Sequence, residues 1–138
     1  MNTALRELPG VLIDPSCPKH AVSFIDENDN FTYFSPSKEL VFRRTLASLG
    51  RNVRHCHPPK SIVHVNKILV NFKEKRRDSE EFWISHKDKF IYFQYHAVRG
   101  MEGEYLGTIE MIQDITKIKT LQGEKKLTSF TQTNKWED

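Results

Sequence analysis

The sequence predicts an α+β domain in which helices cover one face of a single five-stranded antiparallel sheet. Three observations carry this: a hairpin pattern near the start, one strongly amphipathic helix in the middle, and three strand-like segments in succession after it. Strands grouped in runs, with helices segregated between them, give α+β architecture, and such a sheet buries one face against the helices.

Residues 1–20 read as a leader. Within it TALREL has the composition of a short helix that stops at Pro9-Gly10, and Pro15 and Pro18 keep the next residues extended. AVSFIDENDNFTYFS is a hairpin: Val22 and Phe24, then Phe31 and Tyr33, alternate around Asp26 to Asn30, whose residue types tolerate left-handed backbone. From Pro36 to Gly50 the composition turns short-helical, with Ser35 or Ser37 to cap and Gly50 to terminate. Ile62, Val65, Ile68, Leu69 and Phe72 then recur at spacings of three and four, lining one face of the strongest helix in the chain. Three strands come next, Ser79 to His86, Lys89 to Arg99 and Tyr105 to Ile115, separated by HKDK and the glycine-flanked RGMEGE. Asp114 or Thr116 caps a last helix carrying Ile115, Ile118 and Leu121, before a polar tail from Thr128 to Asp138 of disordered composition. The domain proper therefore spans 21–116, with helix and tail over 117–138.

The totals narrow the function classes. A chain of 138 residues fits one domain, and 38% hydrophobic with 28% charged residues supplies a moderate core in an ordinary soluble composition. The longest apolar runs, such as Ile68 to Val70, fall far short of the roughly 20 residues that cross a bilayer. The N-terminus lacks the pattern of a secretory signal, so a cytoplasmic location is expected, with Cys17 and Cys56 as free thiols. The net charge of +3 comes largely from KEKRR at 73–77 and the Lys-rich tail, which reads as a solvated face and not as a nucleic-acid site.

The densest chemistry lies in RHCHPPKS, Arg54 to Ser61. Zinc needs ligands that converge, yet His55, Cys56 and His57 are contiguous, and in extended chain the thiol points away from both imidazoles. A metal- or thiol-dependent enzyme centred on Cys56 and His57 is thus the minor alternative, because a catalytic thiol also needs a base and an oxyanion site in reach. The stronger reading is positional. Each proline disfavours helical backbone before it, so His57 and Pro58 are extended and the helix begins at Pro59. The first amides, at Lys60, Ser61 and Ile62, with the Lys60 ammonium and His57 beside them, then make a candidate anion or ligand site. On the sheet, alternation groups Ile91, Phe93 and Tyr95 on one face; these, with Ile109 and Met111, are the candidate pocket lining. Tyr92, Gln94 and His96, with Trp83, fall on the other face as an aromatic patch suited to protein contact.

FIDENDNFTYFS, LGRNVRHCHPPKS, the HVNKILVNFK helix, EFWI and AVRGMEGEYLGTIEMIQDIT together resemble a PAS domain, and most narrowly the PAS domain attached to hemerythrin-like (HHE) proteins of bacteria and archaea. Asp114-Ile115-Thr116 matches the triplet that commonly closes the last PAS strand before a signalling helix, and Cys56 to Ser61 is the most family-specific piece. The resemblance covers about Ala21 to Leu127. It implies a non-catalytic sensor or protein-interaction module with a small pocket, dimerisation through flanking helices or the outer sheet face, and a hemerythrin-like protein as a possible partner. It also implies haem as one ligand class, with His64 as the helical and His57 as the loop candidate for the axial position.

Overall fold

A computed structural model of the chain describes residues 20–35 and 46–128. The leader helix, and the part of the short-helical segment between 36 and 45, lie outside the described residues. Two antiparallel strands, β1 (His20–Asp26) and β2 (Phe31–Phe34), are followed by helix α1 (Pro59–Lys73) and by strands β3 (Ser79–His86), β4 (Lys89–Arg99) and β5 (Tyr105–Asp114). They form one five-stranded antiparallel sheet in the order β2-β1-β5-β4-β3, so the last strand is central and β2 and β3 are its edges. The α+β prediction holds, and the three strands after α1 fall within one residue of their expected ends.

The β1–β2 turn is built by acids. The Asp26 carboxylate accepts the amides of Asn28 and Asn30, both at 2.9 Å, and Asp29 takes the left-handed conformation at φ 66° that Asp tolerates better than most residues. A bulge between Phe24 and Ile25 then alters the expected alternation: Phe24 faces Tyr33 on one side of the sheet, whereas Phe31 opposes Ile25 and is fully buried on the other.

α1 lays Val65, Leu69 and Phe72 against the sheet. Phe72 joins Ala21, Ile91, Phe93, Tyr95 and Ile112 in one apolar cluster. Val65 and Leu69 join Ile25, Phe31 and Val53 in a second, against which Cys56 packs. Ile91, Phe93 and Tyr95 therefore do face the helix. Ile109 and Met111 do not: they stand opposite His96 and Gln94 on the outer face, and the inward residues of β5 are Thr108, Glu110 and Ile112. The apolar parity of β5 pointed to the wrong side because both faces of this central strand are largely covered, so hydrophobicity alone does not distinguish them.

Gly107 marks where β5 crosses closest to β1. A Cβ there would come within 2.4 Å of the Ile25 carbonyl oxygen and 2.5 Å of Phe24 Cζ. At the other end of β5 the Asp-Ile-Thr triplet acts as a latch. Asp114 Oδ1 accepts the Thr116 amide at 3.0 Å and its hydroxyl at 2.6 Å, and Thr116 Oγ1 accepts the Phe90 amide at 2.9 Å. Beyond it the expected helix is replaced by a 3-10 turn, Ile118–Thr120, and an irregular stretch through Lys126. Ile118, Leu121 and Leu127 are exposed, and Gly123 sits at φ 65°. Among the described residues nothing buries its apolar stripe, and so short a segment lacks on its own the stabilisation a helix needs.

Candidate functional site

The RHCHPPKS segment folds as two helical starts in series. Asn52 caps the 3-10 turn Val53–Cys56, its side chain accepting the Arg54 amide at 3.1 Å. His57 and Pro58 are extended, at ψ 145° and 147°, and α1 begins with Pro59 at its first position, as the proline pair predicts. His57 turns back, its Nδ1 2.9 Å from the Val53 carbonyl oxygen. Only a protonated Nδ1 can donate there, which leaves Nε2 of the neutral ring as an acceptor. Lys60 is exposed and Ser61 half-buried, with the Ser61 amide donating to the Pro58 carbonyl at 2.8 Å. His64 is exposed, pointing away from the sheet while its neighbour Val65 is buried, so the helical candidate for a pocket ligand does not line the core.

Arg54 ties together more of the molecule than its place in the motif suggests. Its Nε donates to Asn66 Oδ1 at 2.6 Å, and its Nη1 donates to Asp29 Oδ2 at 2.9 Å and to Asn52 Oδ1 at 3.2 Å. Lys73, at the far end of α1, places Nζ 2.8 Å from Asp29 Oδ1. One buried carboxylate in the β1–β2 turn thereby gathers a cation from each end of the helical segment. Arg99 makes the corresponding tie at the helix C-terminus, donating from Nη2 to the Phe72 carbonyl at 2.8 Å and from Nε to Asp78 at 2.9 Å. Among the described residues, no three of His, Cys, Asp and Glu come together as metal ligands.

A polar band crosses the helix-facing side of the sheet. Glu110 is 1% exposed, with Ser23 as its register partner on β1 and Tyr95 on β4, and Thr108 is completely buried beside it. Thr108 shares a 2.7 Å hydrogen bond with the Tyr105 hydroxyl. Burial raises the Tyr105 phenol above its ordinary value, opposed in part by that hydrogen bond. Sequence inspection missed Glu110 because a carboxylate between Ile109 and Met111 reads as the solvent side of a strand. The register of β5 against Ile91, Phe93 and Tyr95 is the information that reverses it.

On the outer face Trp83 is register partner to Tyr92, beside Gln94 and His96. The Tyr92 hydroxyl donates to Glu81, and this hydrogen bond is the main cause of a raised phenol pKa there. Ile109 and Met111 belong to this surface. A cleft of about 250 Å³ lined by Arg77, Ser79, Glu80, Glu81, Gln94 and His96 opens beside the start of β3.

A family model described as a PAS domain matches residues 19–116. The C-terminal domain of a Streptococcus mutans protein is 35% identical over 75% of this chain and 81% of its own, with a TM-score of 0.68. The PAS domain of a Colwellia psychrerythraea protein is 19% identical over 72% and 88% of the two chains, at TM-score 0.53. A sensory box sensor histidine kinase from Vibrio cholerae is 11% identical over 70% and 82%, also at 0.53. These last two likenesses speak for the fold. No curated protein matches the chain.

Proposed function

The chain belongs to the PAS domain family, and from that premise we propose that it is a sensory module that takes a small ligand between α1 and the sheet and passes the state to a second copy. The carrying observation is the buried polar band. Glu110, Ser23, Thr108 and Tyr95 occupy the middle of a face that packing alone would fill with aliphatic side chains. Burying a carboxyl group and three hydroxyl-bearing residues costs desolvation, so the band is a cost that recognition of a polar ligand would justify. Cys56, packed against the core, and His57, held by the Val53 carbonyl, support a binding module over a thiol catalyst. His57, Lys60 and Ser61 flank the way into α1 and form the ligand's outer contact in this reading. The Trp83, Tyr92, Gln94 and His96 surface takes the second copy. A hemerythrin-like protein is the downstream partner that the RHCHPPKS segment suggests, and the cytoplasm is the compartment in which such a pair would meet.

Native mass spectrometry of the full chain tests the ligand. A non-covalent adduct on the wild-type protein, lost in Glu110→Leu and kept in Phe24→Leu on the opposite face, supports the reading. A wild-type chain with no adduct, whose melting temperature rises in Glu110→Leu, would sink it, since the carboxyl group would then be a core defect with no ligand to serve.

A further inference from the structure

We propose that two copies of this chain join by antiparallel pairing of their β3 edges into one continuous ten-stranded sheet. The inference rests on the second-copy contact proposed above and names its mode. β3 is an edge strand with an unusual composition for its place. Phe82, Trp83 and Ile84 are consecutive and 38%, 57% and 37% exposed, so apolar surface lies on both faces of an edge that, among the described residues, nothing covers. Edges are normally blunted by charge, proline, bulges or brevity, and a long apolar one is a template for pairing with another chain.

The backbone fixes what such a strand offers. The Asp78 carbonyl accepts the Ala97 amide at 2.8 Å, so by the alternation of an antiparallel ladder the even-numbered residues of β3 bond to β4. Ser79, Glu81, Trp83 and Ser85 then turn their amides and carbonyls outward. Two β3 strands related by a twofold axis through Trp83 would exchange these groups.

That register is favoured over its neighbours by the side chains. Trp83 meets Trp83 of the second copy, Phe82 meets Ile84, Glu81 meets Ser85 and Glu80 meets His86, so within β3 apolar residues face apolar ones and no acid faces an acid. A slip toward the N-terminus of the strand sets Glu81 against Trp83 and Glu80 against Ile84. A slip the other way sets Phe82 against His86 and Trp83 against Ser85, so that neither aromatic ring meets an apolar partner. Cross-strand pairs of this kind are the unit of sheet stabilisation, and like charges directly opposite weaken it. An edge contact is smaller than a standard interface, so the dimer is expected in the micromolar range.

Sedimentation velocity of the full chain over a concentration series, at low salt, tests the register through one position. Ser85→Glu places an acid opposite Glu81 twice per dimer and raises the dissociation constant about tenfold; Ser85→Lys lowers it about threefold. Trp83→Lys, at an exposed position that leaves the circular dichroism spectrum unchanged, gives a monomer. A wild-type chain that is monomeric throughout overturns the edge pairing together with the second-copy reading. A dimer whose constant is the same in both Ser85 variants overturns the edge pairing alone and assigns the dimer to another face.

Discussion

The two edges of the sheet are finished in opposite ways. At β2 the edge is short and closed by the chain itself: the Phe31 amide donates to the Arg51 carbonyl at 2.9 Å, the Phe31 carbonyl accepts the Gly50 amide at 2.6 Å, and Asn30 bridges to Asn52. Gly50 reaches that position at φ 80°, which favours glycine. At β3 the edge is eight residues long, and its backbone alternates between β4 and a side that nothing covers among the described residues. The segment that leads into RHCHPPKS thus serves the sheet before it serves any ligand. The contrast teaches that one edge is spent on intramolecular closure, while the other retains the capacity to recognise a strand.

Phe31→Ala should produce the largest change, because it empties a fully buried site at the closed edge. A loss of about 3–5 kcal/mol in urea unfolding is expected. Gly107→Ala should cost about 2–3 kcal/mol by the same measurement, since its Cβ meets a backbone carbonyl that has no rotamer by which to move aside. Arg54→Ala should cost about 1–2 kcal/mol, reduced by the partial exposure of the guanidinium and by the continued presence of Lys73 on Asp29. Arg54→Lys should not restore it, because one ammonium cannot reproduce a fork that serves Asn66, Asp29 and Asn52 together. Trp83→Ala, at the open edge, should change unfolding by no more than about 0.5 kcal/mol. If its cost instead approached that of Phe31→Ala, the two edges would not differ as described.

The smallest expected effect concerns pH. Because the Tyr105 phenol is raised in the folded state, its contribution to stability is complete below the ordinary tyrosine value of about 10 and is lost as pH rises through the folded value. The unfolded chain releases this proton first, so stability falls with alkalinity. Urea midpoints measured on either side of pH 10 should show that fall in the wild type and a shallower one in Tyr105→Phe. An equal slope in both would assign the alkaline loss to other groups.

Much of this architecture was legible where one physical signal dominated. The proline pair set the start of α1, the spacing of Val65, Leu69 and Phe72 set its buried face, and the turn residues set the strand limits. The PAS resemblance drawn from those motifs is what the family match supports. Legibility failed where two local signals were equally good. β5 puts Ile109 and Met111 on its outer face and Thr108 and Glu110 on its inner one, the reverse of what hydrophobicity suggests, so only its register with β4 tells Glu110 from Met111. The Arg54–Asp29 contact joins residues separated by 25 positions, and no local pattern announces it. The helix expected after Thr116 is a 3-10 turn whose Ile118 and Leu121 are exposed, and whether such a stripe is buried is a tertiary fact absent from its own periodicity.

The ties on Asp29 and Phe72 carry a mechanical consequence. α1 is anchored at its middle by Arg54 on Asn66 and at its end by Lys73 on Asp29 and by Arg99 on the Phe72 carbonyl. A strut pinned at its middle and its end resists sliding along its axis, whereas β3, tied at its start through Asp78 to Arg99, has an outer border that nothing covers among the described residues. Whatever displaces the interior should therefore leave the helix nearly stationary and flex the sheet, with the greatest travel at the β3–β4 turn, the end of β3 away from the Arg99–Asp78 tie.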